Sequence, residues 1–173
     1  MQGADNQQER LDSYIAGYVD GEGCFAISVQ HNASCRTRLQ LVPEFHVSQN
    51  DDRAEVLGLI RERLGCGYIR RNGRKDRALV FVVRRREDLL ERVIPFFEQN
   101  PIRSAKHREF QAFAAIVRAM AAGEHLSDAG FRELLSRATA MNGGGRFRQR
   151  RWMELNYPES SETTRQTGEI LKI

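Results

Sequence analysis

Asp20, Gly21, Glu22 and Gly23 set two carboxylates two residues apart, interleaved with glycine, near the end of a stretch that reads as a helix, Leu11 to Phe25 (LDSYIAGYVDGEGCF). A helix C-terminus carries partial negative charge, so acids there are locally unfavourable and require compensation. Ala16, Gly17 and Gly21 put small residues on one flank, although a helical glycine costs about 1 kcal/mol relative to alanine. A second backbone packed closely on that flank would account for the cost. If the partner is the same helix of a second copy, two DGEG ends meet on a two-fold axis. Their carboxylates and carbonyls then form an all-oxygen site suited to Mg²⁺ and not to a soft metal. Taken alone, the four residues are more readily read as a helix that stops at Gly21 in an acidic turn.

The surrounding elements must hold those acids in place. Residues 1–10 are polar and read as a flexible N-terminus. After the helix, Cys24 to Asn32 alternates, with Phe25, Ile27 and Val29 on one side and Ala26, Ser28 and Gln30 on the other, the pattern of a half-buried strand. Arg38 to Ser48 alternates more strictly. Leu39, Leu41, Pro43, Phe45 and Val47 form one face, and Arg38, Gln40, Val42, Glu44, His46 and Ser48 the other. Asn50 to Asp52 offer capping groups to a helix carrying Val56, Leu57, Ile60 and Leu64, which Gly65 stops. Gly67 to Asn72 puts Tyr68, Arg70 and Asn72 on one face, and after an NGRK turn Arg77 to Val83 returns with Ala78, Val80 and Val82 inward. Helical periodicity resumes at Glu87 to Phe97, broken at Pro95, and Ser104 and Ser127 cap two further helices. NGGGRFRQRR, with Arg146 and Arg148, reads as a flexible basic loop able to follow a phosphate backbone. The expected architecture is α+β: a helix and two strands, repeated, then further helices. The domain spans 11–142, with 143–173 as its basic loop and C-terminal tail.

The 173 residues suffice for one domain with a real core. Net charge is +4, and of 27 cations only Lys75, Lys106 and Lys172 are lysine, the other 24 being arginine. Arginine makes bidentate contacts with phosphate and guanine, but a GC-rich genome gives the same bias. Cys24, Cys35 and Cys66 contain no CxxC pair, so neither a disulfide framework nor zinc is expected. No apolar run approaches a membrane span and no signal peptide is evident. The outward Gln, Arg, His and Asn side chains of the strands suit base edges in the major groove.

IAGYVDGEG resembles the LAGLIDADG motif of the homing endonucleases, with Ile15 at its first position, Asp20 at its sixth and Glu22 at its eighth, where Glu stands one methylene longer than Asp. HVSQNDDR, LGCGYIRRNGR and NPIRSAKHREF extend the likeness to Lys106. The resemblance implies an αββαββα fold with a four-stranded antiparallel saddle sheet backed by helices, and extra helices at the C-terminus. It implies metal-dependent hydrolysis of double-stranded DNA, with Glu22 and the Gly21 carbonyl as metal ligands. Gln49 would orient water, and Arg53 and Lys106 would support phosphate charge. Two or three Mg²⁺ ions would be shared at the dimer axis, with Mn²⁺ able to substitute and Ca²⁺ binding without cleavage. One motif in the chain resembles the homodimeric branch, with Ala16, Gly17, Asp20 and Gly21 at the interface.

DNA contacts would fall to Ser28, Gln30, Asn32, Arg38, Gln40, Glu44, His46, Tyr68, Arg70, Asn72 and Arg77 on the strands, with Arg146 and Arg148 beyond them. The expected protein is an intron-encoded or mobile-element endonuclease cutting a long pseudo-palindromic site, with no membrane and no zinc. It would be cytoplasmic and nucleoid-associated in a bacterium or archaeon, organellar in a eukaryote. The alternative is a non-cleaving nucleic-acid-binding protein on the same fold, an RNA maturase or a DNA-binding regulator. A glycoside hydrolase using Asp20 and Glu22 is disfavoured, because residues two apart at a helix end point apart.

Overall fold

The computed structural model describes residues 2–73 and 77–141. The chain runs α1 (Gln2–Glu22), β1 (Gly23–His31), β2 (Leu39–Asn50), α2 (Glu55–Leu64), β3 (Tyr68–Arg71), β4 (Ala78–Val83), α3 (Arg86–Asp88), α4 (Ile94–Gln99), α5 (Lys106–Ala121) and α6 (Asp128–Met141). The four strands form one antiparallel sheet in the order β1-β2-β4-β3, which is the α+β architecture expected. No helix among the described residues is long and apolar enough to cross a membrane.

Register fixes the two faces. Phe25 opposes Phe45 and Ile27 opposes Pro43, while Val47 opposes Phe81 and Phe45 opposes Val83. On this face Phe25 stacks on Phe45 at 5.0 Å between ring centroids, and Phe97, Phe110 and Phe113 close around it at 5.2 to 5.4 Å. The cluster joins β1 and β2 to α4 and α5, and truncating one such buried Phe typically costs about 3–5 kcal/mol. Helix α1 is anchored by Ile15 and Val19, both fully buried one turn apart. Asp12, itself buried, is gripped by Arg63 of α2 through Nε at 2.5 Å and a second nitrogen at 2.7 Å. The Arg63 guanidinium also lies 5.3 Å from the Phe96 ring.

Four expectations need correction. The motif helix begins not at Leu11 but at Gln2, so residues 2–10 belong to α1, because Gln, Glu and Arg form helix without supplying any apolar periodicity. Ala78, Val80 and Val82 do not face the helices: in register with Asn50, Ser48 and His46 they lie on the opposite face, and Leu79, Phe81 and Val83 turn inward. ALVFVV is apolar on both sides, so alternation alone does not choose a face. A 3-10 turn, Asp51–Arg53, precedes α2, and no side chain caps either helix there. Pro95 does not end its helix. The preceding turn, Leu89–Val93, is widened to a π-turn, and α4 begins with the proline in its first turn, where its missing N–H does little harm.

Gly65 ends α2 at φ +65 with its N–H on the Arg61 carbonyl at 2.9 Å. The expected basic loop and tail, 143–173, lie outside the described residues.

Candidate active site

Every feature of the site converges on the end of α1. Gly23 must be glycine there: a Cβ would come within 2.5 Å of the Val19 side chain and 2.8 Å of its carbonyl, so only glycine lets β1 leave the helix directly. The acids Asp20 and Glu22 part company. Asp20 Oδ2 accepts the backbone N–H groups of Arg103 at 3.3 Å and Ser104 at 3.1 Å, and Oδ1 accepts the Ser104 hydroxyl. The Ser104 hydroxyl bond, the larger cause, and the two backbone donors hold the Asp20 carboxyl below its ordinary range. Glu22 is exposed and makes no hydrogen bond or ion pair to the described residues.

The compensation that a helix end carrying acids requires comes from Lys106. Its ammonium donates to the Val19 carbonyl at 3.0 Å and the Gly21 carbonyl at 3.3 Å, placing a cation on the negative end of α1. Lys106 itself begins α5, where its backbone N–H meets the Ser104 hydroxyl at 3.1 Å. Asp20, Ser104 and Lys106 thus weld the end of α1 to the start of α5.

Gln49 approaches from the other side. Gly23 pairs with Val47, so the last residues of β2 pass beside the α1 terminus. The Gln49 amide nitrogen donates to the Tyr18 hydroxyl, and its oxygen accepts the Asn50 N–H at 2.8 Å. Tyr18 has no place among the expected site residues, because the fourth motif position reads as one more apolar contact. The signal available was its spacing, four residues before Glu22 and so on the same helix stripe. Arg53 is not brought to this group. It is exposed in the 3-10 turn, 3.8 Å from the Asp52 carboxylate.

The face away from the helices carries most of the expected readers, many already paired. Ser28 donates to the Val42 carbonyl at 3.3 Å, Gln30 to Ser28 at 3.4 Å, and Asn32 to Gln40 at 2.9 Å. His46 Nδ1 lies 2.9 Å from the Glu44 carboxylate, which also binds Arg84, a cation absent from the expected set. Tyr68 and Arg70 are exposed there, opposite Val82 and Val80. Asn72 follows β3, its N–H on the Ala78 carbonyl at 2.9 Å.

Two expected readers lie outside the strands. Arg38 sits in the β1–β2 turn at φ +53, a left-handed conformation unusual for arginine, and Arg77 precedes β4, 3.5 Å from Asp51. Arg146 and Arg148 lie outside the described residues.

No three His, Cys, Asp or Glu side chains converge among the described residues. The oxygens at the α1 terminus placed to ligate are the exposed Glu22 carboxylate and the Gly21 carbonyl, which also accepts the Lys106 ammonium at 3.3 Å. That set fits a hard divalent ion which keeps waters and takes phosphate oxygens, as Mg²⁺ does. On the same helix, a Cβ added at Gly17 or Gly21 would meet nothing within 4 Å.

The LAGLIDADG endonuclease family model matches residues 15–117. Homing endonuclease I-ApeII of Aeropyrum pernix is 30% identical over 107 residues, 62% of each chain, and DNA endonuclease I-CeuI of Chlamydomonas moewusii is 36% identical over 86 residues, 50% of this chain and 39% of that one. The chain therefore spans less than two thirds of the length of these curated relatives. The crystal structure of the homing endonuclease I-TnaI superposes with a TM-score of 0.77 at 35% identity, covering 84% of this chain and 97% of that one. I-SmaMI bound to cleaved DNA gives a TM-score of 0.73 at 26% identity, over 77% of this chain and 44% of that one. With its fold, its motif helix and the matched span in agreement, the chain belongs to the LAGLIDADG endonuclease family.

Proposed function

We propose that the protein is a homodimeric, site-specific endonuclease that hydrolyses both strands of a long, partly palindromic DNA site with Mg²⁺. The observation that carries this reading is the division of labour at the α1 terminus. Asp20 is consumed by Ser104 and the backbone, whereas Glu22 is left exposed, one residue after the carbonyl that takes the Lys106 ammonium. A binding protein has no use for an uncommitted acid at that point.

Glu22 and the Gly21 carbonyl would hold the divalent ions. When bound, such an ion supplies neutralisation of phosphate charge and activation of water. Lys106, fixed by two carbonyls, would add positive charge on the scissile phosphate. Gln49 would orient water, and Arg53, off the site in the single chain, would meet the DNA backbone. The strand residues named above would read bases and phosphates.

Dimerisation is supported by the open flank of Gly17 and Gly21 on α1, whose helix cost only a close partner backbone explains. Pairing two copies there would bring two Glu22 carboxylates together, one for each strand cut. Such an enzyme would work wherever its target DNA resides, a nucleoid or an organelle.

Cleavage of a randomised double-stranded DNA library with Mg²⁺ tests the proposal. Enrichment of one partly palindromic site is expected. Selective binding without cutting would replace the nuclease by a regulator, and binding only to structured intron RNA would replace it by a maturase.

A further inference from the structure

Tyr18 occupies the fourth position of the motif, half-buried, one turn after Tyr14 and one turn before Glu22. The two tyrosine rings tilt against each other with centroids 6.2 Å apart, so the stripe that ends in Glu22 is aromatic over the two turns before it. Gln49 reaches this stripe from β2 and donates its amide nitrogen to the Tyr18 hydroxyl. The direction of that amide is not arbitrary. Its oxygen lies 2.8 Å from the Asn50 backbone nitrogen, a group that can only donate, so the nitrogen must be the end that meets the phenol. Both ends of the amide are therefore held, one by main chain and one by Tyr18. One lone pair of Oε1 and one proton of Nε2 remain, fixed in direction.

We infer that Tyr18 is a positioning residue, whose hydroxyl holds the Gln49 amide in the single orientation that presents those two remaining groups to water and phosphate. The inference rests on the nuclease reading only in giving Gln49 that task. Without the hydroxyl, phenylalanine would keep the ring and its packing, and the Gln49 amide would be held at its oxygen alone. Small losses of alignment at a reacting centre are expensive, up to about 100-fold for a displacement of about 1 Å.

The test is a double-mutant cycle of Tyr18→Phe and Gln49→Ala in single-turnover cleavage of the selected site. It is joined by the side-chain amide NMR signal of Gln49, identified by its loss in Gln49→Ala. Tyr18→Phe is expected to slow cleavage by about 10-fold or more, with DNA affinity and melting temperature unchanged, and to cost nothing further in the Gln49→Ala background. The two Gln49 amide protons stay distinct because rotation about the C–N bond is slow, but both should move towards the shifts of an unconstrained glutamine in Tyr18→Phe.

An unchanged rate, or the same slowing with and without Gln49, would overturn the inference, as would a Gln49 signal indifferent to the hydroxyl. A wild type that binds DNA without cutting is a failure of the nuclease reading instead, visible before any variant is made. The NMR signal then decides the Tyr18 link alone.

Discussion

Asp20 Oδ2 accepts the Ser104 backbone N–H at 3.1 Å while the Ser104 hydroxyl closes on Oδ1. An acid that lies two residues from the free Glu22 is thereby a structural joint between α1 and α5. The same joint brings Lys106 onto the last carbonyls of α1.

Asp20→Ala should lower stability by about 1 kcal/mol near neutral pH, the scale of a lost cap, for a group largely open to solvent. The folded-state pKa of Asp20 is lowered from 3.8. Its contribution is therefore fully present above that value and lost as pH falls through the lowered one. Urea unfolding of wild type and variant should differ at pH 7 and converge as the pH falls below the carboxylate range. A gap independent of pH would mean that the carboxylate charge plays no part.

Gly17→Glu should leave each subunit folded, because a Cβ there meets nothing within 4 Å and glycine is the poorer helix former. It should abolish dimerisation in sedimentation equilibrium, by placing bulk and two like charges on the shared flank. A dimer that survives the substitution must use another face.

Arg70→Ala should weaken binding to the selected site by about 1–3 kcal/mol and relax discrimination at a few base pairs. Among the described residues its guanidinium donates to the carbonyl of its neighbour Arg71 at 3.1 Å, a bond that DNA readily displaces. Binding measured across a set of single-base variants distinguishes this from a uniform loss, which would mean that Arg70 touches only phosphate.

The sequence was most informative where one face of an element is buried and the other is not. β2 alternates from Leu39 to Val47 without exception, and its inward and outward residues are legible by period alone. β4 has no such contrast, so Ala78, Val80 and Val82 were placed on the wrong face. Polar residues 2–10 form helix without announcing it. At the site, the DGEG end and Lys106 were legible from residue type and motif.

Their pairing, Asp20 with Ser104 and Lys106 with the Gly21 carbonyl, spans more than eighty residues and leaves no local trace. The geometry separates the two acids by what surrounds each of them. Tyr18 was hidden by its ring, which looks like core until its hydroxyl is seen to meet Gln49.

The most direct measurement is cleavage of the selected site by Glu22→Gln with Mg²⁺, beside metal-free DNA binding by the same protein. The variant removes one exposed carboxylate that makes no hydrogen bond or ion pair to the described residues, so the fold and reading face should persist. Cleavage should fall by at least about 100-fold, with affinity unchanged. Cleavage at near the wild-type rate would contradict the assignment of Glu22, and with it the account of the α1 terminus as the active site.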